Sequence, residues 1–179
     1  MIIVGTQAPD FTAEAVVDGE IADITLSRLA GRYVLLFFYP LDFSFVCPSE
    51  LHSLQRALTE FQRRDVEVLG ISVDSVFTHR AFLQAPKSTG GISGITFSLV
   101  SDISHRISRS FGVLAERESV ALRATFVLDK EGIVQYGSVN TLDFGRSIGE
   151  LLRVVDGIQF AETHGGLCPA NWQPGDALL

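Results

Sequence analysis

The stretch YVLLFFYPLDFSFVCPSELHSL, Tyr33 to Leu54, decides the fold. The run from Tyr33 to Tyr39 is continuously apolar and aromatic and stops at Pro40, the pattern of a strand buried on both faces of a central sheet. The period then changes. Leu51, Leu54, Leu58 and Phe61 recur at helical spacing while His52, Gln55, Arg56 and Gln62 face away, so an amphipathic helix follows the strand. A second buried run, Val66 to Val73, closes a strand, helix, strand unit.

Working outward, Ser75 can cap a helix through about Gln84, after which Pro86 and Gly90–Gly91 break the chain. A short strand in ITFSLVSD leads to a helix expected from about Ser104 to Phe111, which Gly112 can end. LRATFVLD and IVQYGSV, joined by the turn residues Asp129 to Gly132, read as an antiparallel hairpin. A last helix is expected from about Ser147 to Phe160, with Leu151, Leu152, Val155 and Ile158 inward. Asp18–Gly19 between apolar alternations marks a small outer hairpin near the start. Strands alternating with helices, plus antiparallel pairs, give an α/β fold with a mixed central sheet flanked by helices, an N-terminal hairpin and a C-terminal tail. The expected division is a domain over residues 1–160 and a tail over 161–179.

The chain has 179 residues, with 14 basic against 21 acidic side chains and a net charge of −7. A chain of this length hides roughly 70% of its unfolded surface and needs no metal or disulfide staple. Its acidity and scattered Lys and Arg argue against nucleic acid and anionic membranes as partners. No apolar stretch approaches the roughly 20 residues that span a bilayer. The opening MIIVGTQAPDF lacks a basic region and its apolar run ends at Gly5, so the expected address is cytoplasmic. The two cysteines, Cys47 and Cys168, are too few for a secreted disulfide framework.

Cys47 stands where the buried strand hands over to the helix, with Pro48 suited to the first turn and Glu50 placed to cap free backbone N–H groups. Helix N-termini favour the thiolate and bring cysteines from about 8.5 down to roughly 3.5–7.5. That alone does little. A drop of about 2 units gives roughly 30-fold more thiolate but roughly 8-fold less nucleophilicity, a net gain of about 4-fold. An efficient thiol enzyme must also polarise its electrophile with fixed donors. Ser44 and a converging arginine are the candidates.

Pro40, Ser44 and Cys47 in FYPLDFSFVCPSE resemble the P-x-x-x-[TS]-x-x-C signature of the peroxiredoxins, and the flanking residues are similar to the typical two-cysteine branch that includes bacterial alkyl hydroperoxide reductase catalytic subunits. The resemblance continues through SVDSVFTHRAF, FSLVSD, LRATFVLDKEG and HGGLCPANWQPG, nearly the whole chain. It implies a thioredoxin-like fold and a thiol-dependent peroxidase acting on hydrogen peroxide and organic hydroperoxides without metal or organic cofactor. Cys47 matches the peroxidatic cysteine, which becomes a sulfenic acid. Cys168 matches the resolving cysteine, which condenses with it to a disulfide. Arg123 matches the active-site arginine that holds the thiolate and the peroxide oxygens. The Ser44 hydroxyl is expected to accept from the peroxide while donating toward sulfur, and Pro40 to shield the pocket. Glu50 and Arg146 match positions that orient the arginine or line the pocket. Tyr39 reads as core, and Trp172 as the anchor of the reduced tail.

The resemblance further implies a homodimer linked by two Cys47–Cys168 bonds, rings of dimers, often decamers, meeting near Phe77 in SVFTHRAF, and a thioredoxin or flavin-dependent disulfide reductase as reductant. Oxidation-sensitive relatives carry a GGLG loop and a C-terminal Tyr-Phe extension. Here the corresponding residues are Gly90, Gly91, Ile92 and Ser93 and the chain stops at Leu179, so resistance to overoxidation is expected. Competing readings are a ring-forming holdase chaperone and a thiol–disulfide oxidoreductase, though the residue three after Cys47 is Glu50 rather than a second cysteine. A Cys–His hydrolase is weaker, because His52, His79, His105 and His164 hold no motif relation to Cys47. Two distant cysteines and four scattered histidines lack zinc-ligand spacing.

Overall fold

A computed structural model describes residues 4–177. The opening residues 1–3, where the reading of the start began, and the tail's last two leucines lie outside the described residues. The backbone forms two compact units, Met1–Arg146 and Ser147–Leu179.

The first unit is built on a seven-stranded mixed sheet. Its strands are β1 (Thr12–Val17), β2 (Glu20–Thr25), β3 (Tyr33–Phe38), β4 (Val66–Ser72), β5 (Ser98–Ser101), β8 (Arg123–Leu128) and β9 (Val134–Asn140), in the order β2-β1-β5-β4-β3-β8-β9. The strands β6 (Leu114–Ala115) and β7 (Val120–Ala121) form a separate small ladder. In the centre β3, β4 and β5 run parallel, and β8 returns antiparallel beside β3. Every residue of β3 is buried, as its unbroken apolar run requires. Val34, Leu36 and Phe38, alternate residues on one face, join Leu69, Ile71, Val100, Phe126 and Leu128 in one core cluster. Phe38, Phe111 and Phe126 stand 5.3–6.0 Å apart there as tilted and edge-on rings. Each such side chain contributes about 1.5–3 kcal/mol on leaving water. At the edge, Asp18 (φ 50°) and Gly19 (φ 85°) make the tight left-handed turn of the first hairpin.

Helix α1 (Cys47–Arg63) packs on β4, and α2 (Val76–Gln84) on β1 and β5. The Ser75 hydroxyl accepts from the Thr78 amide and caps α2. Helix α3 (Arg106–Ser110) starts two residues later than expected. The buried Asp102 carboxylate, ahead of the expected start, accepts from the amides of Ile107 and Ser108 and from the Ser108 hydroxyl, while His105 takes a left-handed conformation before the first turn. The β6–β7 ladder escaped the sequence reading, since two-residue strands carry no periodicity.

The second unit is α4 (Ile148–His164) and the segment after it. Ser147 caps the helix by accepting from the Glu150 amide, and Gly165, at φ 63°, ends it, a turn beyond the expected Phe160. Ile148, Leu151, Val154 and Val155 are its buried residues; Leu152 and Ile158, expected inward, are only half-buried. After the helix the Trp172 indole is buried, its ring 5.0 Å from that of Phe160 and its N–H donating to Asp176 O at 3.2 Å. Among the described residues no helix is long and apolar enough to cross a membrane.

Candidate active site

The topology that buries β3 also builds the site. Helix α1 starts with Cys47 at the end of the turn leaving β3, so its thiol is fully buried at a helix N-terminus, with Pro48 in the first turn. Because β8 is antiparallel to β3 and pairs Thr125 with Phe37, its first residue, Arg123, comes level with the end of β3. Glu50 lies three residues after Cys47 and therefore on the same helix face. The loop leaving β9 brings in Arg146.

These four side chains form one buried cluster. Arg123 Nη1 donates to Cys47 Sγ at 3.3 Å and to Glu50 Oε2 at 2.8 Å, and its Nε donates to Leu142 O at 2.9 Å. Arg146 grips the other side of the carboxylate: its Nε and backbone amide donate to Glu50 Oε1 at 2.9 and 2.8 Å, and Nη2 donates to Oε2 at 3.0 Å. Arg146 Nη1 donates to Ala124 O and Thr125 Oγ1, and its guanidinium stacks 3.3 Å above the Phe37 ring. The paired side chains are 3–4% exposed. Burial alone would push the Glu50 carboxyl up, but hydrogen bonds and charge from Arg146, and charge from Arg123, hold it below the ordinary carboxylate range. Burial lowers Arg146, and Glu50 opposes that shift. With the carboxylate ionised, two guanidiniums share one counter-charge, and the surplus positive charge faces the sulfur.

Glu50 thus does not cap the helix, as its first-turn position suggested. Its carboxylate is taken by arginines, and no side chain caps α1. Ser44 also differs from expectation. Its hydroxyl donates to Leu41 O at 3.0 Å rather than toward sulfur, which leaves its lone pairs as acceptors. Pro40 is buried in the turn between β3 and α1. Cys168 is half-buried in the second unit, where its thiol donates weakly to Gly157 O at 3.5 Å; both cysteines are free thiols.

One buried polar group was not read from the sequence. The Tyr39 hydroxyl donates to Asp42 Oδ1 at 2.8 Å, while Asp42 Oδ2 meets His79 Nδ1 at 2.8 Å and His79 Nε2 faces Val100 O at 3.2 Å. Burial and the neighbouring Asp42 push the Tyr39 phenol well above its usual range. The available signal was His79 on the same helix as the buried Val76 and Phe82. His79 is committed to this network, so the imidazole of a Cys–His pair does not come from it.

A buried thiol at a helix start, facing a fixed guanidinium on a mixed α/β sheet, defines the class of thiol-based oxidoreductases on a thioredoxin-like fold. Comparison with known proteins narrows that class. Residues 4–137 match the model of the AhpC/TSA family, and residues 157–179 that of the C-terminal domain of 1-Cys peroxiredoxin. A chloroplastic 2-Cys peroxiredoxin of Hordeum vulgare is 46% identical over 178 residues, covering 99% of this chain and 85% of that protein. A thioredoxin peroxidase of Echinococcus granulosus is 44% identical over 173 residues, covering 97% and 90%. The reduced 2-Cys peroxiredoxin of Plasmodium vivax superposes with a TM-score of 0.96 at 49% identity, covering 98% of this chain and 91% of that one. The chain belongs to the AhpC/TSA family and is a peroxiredoxin, a thiol-dependent peroxidase.

Proposed function

We propose that Cys47 is the peroxidatic cysteine and Cys168 the resolving one, with Arg123 and Ser44 acting on the peroxide, Pro40 walling the pocket, and Glu50 and Arg146 positioning Arg123. The observation that carries this reading is the single nitrogen, Arg123 Nη1, that donates both to Cys47 Sγ and to Glu50. The Cys47 thiolate attacks one peroxide oxygen. An S–O bond forms as the O–O bond breaks, the sulfur is oxidised to the sulfenic acid, and the departing oxygen takes up the proton that the thiol released on ionising and leaves as water or an alcohol. Arg123, held by Glu50 and Leu142 O, is a preorganised donor for the charge that develops on those oxygens. Ser44, its own hydrogen given to Leu41 O, accepts from the peroxide hydrogen.

The Cys168 thiol then displaces water from the sulfenic sulfur, and a dithiol reductant returns both cysteines to thiols with two electrons. Disulfide partners need Cα atoms within about 7 Å, and Cys47 is fully buried at the head of a helix, so the first turn of α1 and the tail of residues 161–179 both unravel for this step. The functional division therefore runs between the peroxidase body, residues 1–160, and that tail. A thioredoxin-type reductant is favoured over a flavin-dependent one by the similarity to a thioredoxin peroxidase. Two lone free cysteines fit a reducing compartment, which we take to be the cytoplasm. The bond links two copies in a homodimer. Dimers close into decameric rings through the start of α2, where Phe77 is 67% exposed and Phe43, in the turn before Cys47, stacks 4.7 Å from Phe82 while 46% exposed.

Non-reducing electrophoresis after one equivalent of peroxide tests this reading, with Cys47→Ser and Cys168→Ser alongside. The parent is expected to give a covalent dimer that both variants lack, and Cys47→Ser to lose peroxide consumption. A Cys47→Ser protein that still consumes peroxide, or an oxidised parent that runs as a monomer, overturns it.

A further inference from the structure

The loop that joins β9 to α4 touches the arginine cluster at three points. Leu142 O accepts from Arg123 Nε, and the Arg146 amide donates to Glu50 Oε1. The third point is a residue without a side chain. A Cβ placed on Gly145 lies 3.3 Å from Glu50 Cγ, 3.4 Å from Oε1 and 3.6 Å from Cδ. The first of these distances is tighter than ordinary van der Waals contact. Gly145 does not have the left-handed φ that would call for glycine on backbone grounds. Gly149, four residues on, has nothing within 4 Å of its Cβ position.

We propose that Gly145 is a positioning residue for peroxide reduction: its missing side chain is the seat that lets the Glu50 carboxylate press against Arg123 and Arg146. The inference rests on the assignment of Cys47 and Arg123 above and extends it to a residue that would act on them through Glu50. The carboxylate has nowhere to retreat, because Glu50 and both guanidiniums are 3–4% exposed and the amide of the next residue pins Oε1. A methyl group at 145 displaces Glu50 toward the arginines by a few tenths of an ångström. Arg123 Nη1 is shared between that carboxylate and Cys47 Sγ, so the displacement reaches a donor aimed at the reacting atoms. Preorganised donors lose their effect with small misplacements.

The test compares full-length Gly145→Ala and Gly145→Val with Gly149→Ala, all checked for parent-like circular dichroism. Two rates are followed: peroxide consumption by the reduced protein, and alkylation of Cys47 by iodoacetamide read at the Cys47 peptide. Alkylation does not need the arginine to stabilise a departing oxygen. Gly145→Ala is expected to lower the peroxide rate about 10-fold, the size of one charge-assisted hydrogen bond, with Gly145→Val lower still. Alkylation falls less than the peroxide rate, and Gly149→Ala stays within about 2-fold of the parent in both. A Gly145→Ala protein that matches Gly149→Ala in peroxide rate overturns the proposal. So does one whose alkylation rises as its peroxide rate falls, since that is a pocket opened by local unfolding. Should Gly145→Val not fold, Gly145→Ala decides alone. An inactive parent, or an active Cys47→Ser, would instead strike the underlying assignment.

Discussion

The two cysteines are held in opposite ways. Cys47 lies at zero exposure at a helix head, its sulfur facing a guanidinium fixed by a backbone carbonyl and a carboxylate, the carboxylate itself held by a second buried arginine. Cys168 is half-buried beyond the end of a helix, with one long bond to a carbonyl and an indole anchored four residues on. The first arrangement suits a thiolate whose partner atoms must be in place before the substrate arrives. The second suits the resolving role proposed for Cys168, because segments tied by few contacts open at the lowest cost.

The largest effect should come from the group that makes the first region rigid. Glu50→Gln leaves two buried guanidiniums with one neutral acceptor and an amide N–H facing their own donors, and breaking a buried ion pair this way costs about 3–5 kcal/mol. That loss should appear in urea unfolding at neutral pH, together with a fall in peroxide rate. The pH dependence has a definite sign. The carboxyl of Glu50 sits below its ordinary value of 4.5 in the folded chain. Its contribution is therefore fully present above the unfolded value and is lost as pH falls through the depressed folded one. The stability gap between parent and Glu50→Gln should hold constant from neutrality to about pH 5 and narrow below it. A gap that persists unchanged into strong acid would mean that the carboxylate is not what holds the pocket.

The tail should respond differently. Trp172 is 2% exposed, and replacing it with alanine removes the ring contact with Phe160 and the N–H bond to Asp176 O, a local loss smaller than that of Glu50→Gln because the segment around it can collapse into the space. Expected in hydrogen exchange is loss of protection and faster cleavage by protease within residues 165–177, with amides of β3 and α1 unchanged. Loss of protection spreading through β3 would erase the contrast between the regions.

That contrast also governs how far the sequence could be read. The frame of β3, α1, β4 and the β8–β9 hairpin follows from local signals: an apolar run ended by proline, a helical period, and a turn at Asp129 to Gly132. Helix ends were less legible, because α3 is capped by Asp102 from ahead of the expected start, and α4 runs on to Gly165 past Phe160, where its inward pattern fades. Glu50 was recognisable as a residue near the arginines through resemblance alone. Its partners lie 73 and 96 positions away, and no local pattern reports such distances, so position within the first turn suggested a cap instead. The Tyr39–Asp42–His79 network went unread for the same reason, its bond from Asp42 to His79 spanning 37 positions.

Ser44 offers the smallest and most discriminating change. Its hydroxyl hydrogen is spent on Leu41 O, within the turn that delivers Cys47 to the helix, so the side chain has one structural bond and free lone pairs. Ser44→Ala removes both, while a Ser44→Thr variant keeps both. A neutral hydrogen bond of this kind is worth about 0.5–1.5 kcal/mol at most. The alanine variant should therefore lose no more than that in urea unfolding. If the hydroxyl also accepts from the peroxide, the peroxide rate should fall roughly 2- to 12-fold while Cys47 alkylation holds steady, and threonine should restore it. A Ser44→Ala protein that loses stability but keeps its peroxide rate would make the hydroxyl a part of the turn and leave the handling of the peroxide to Arg123.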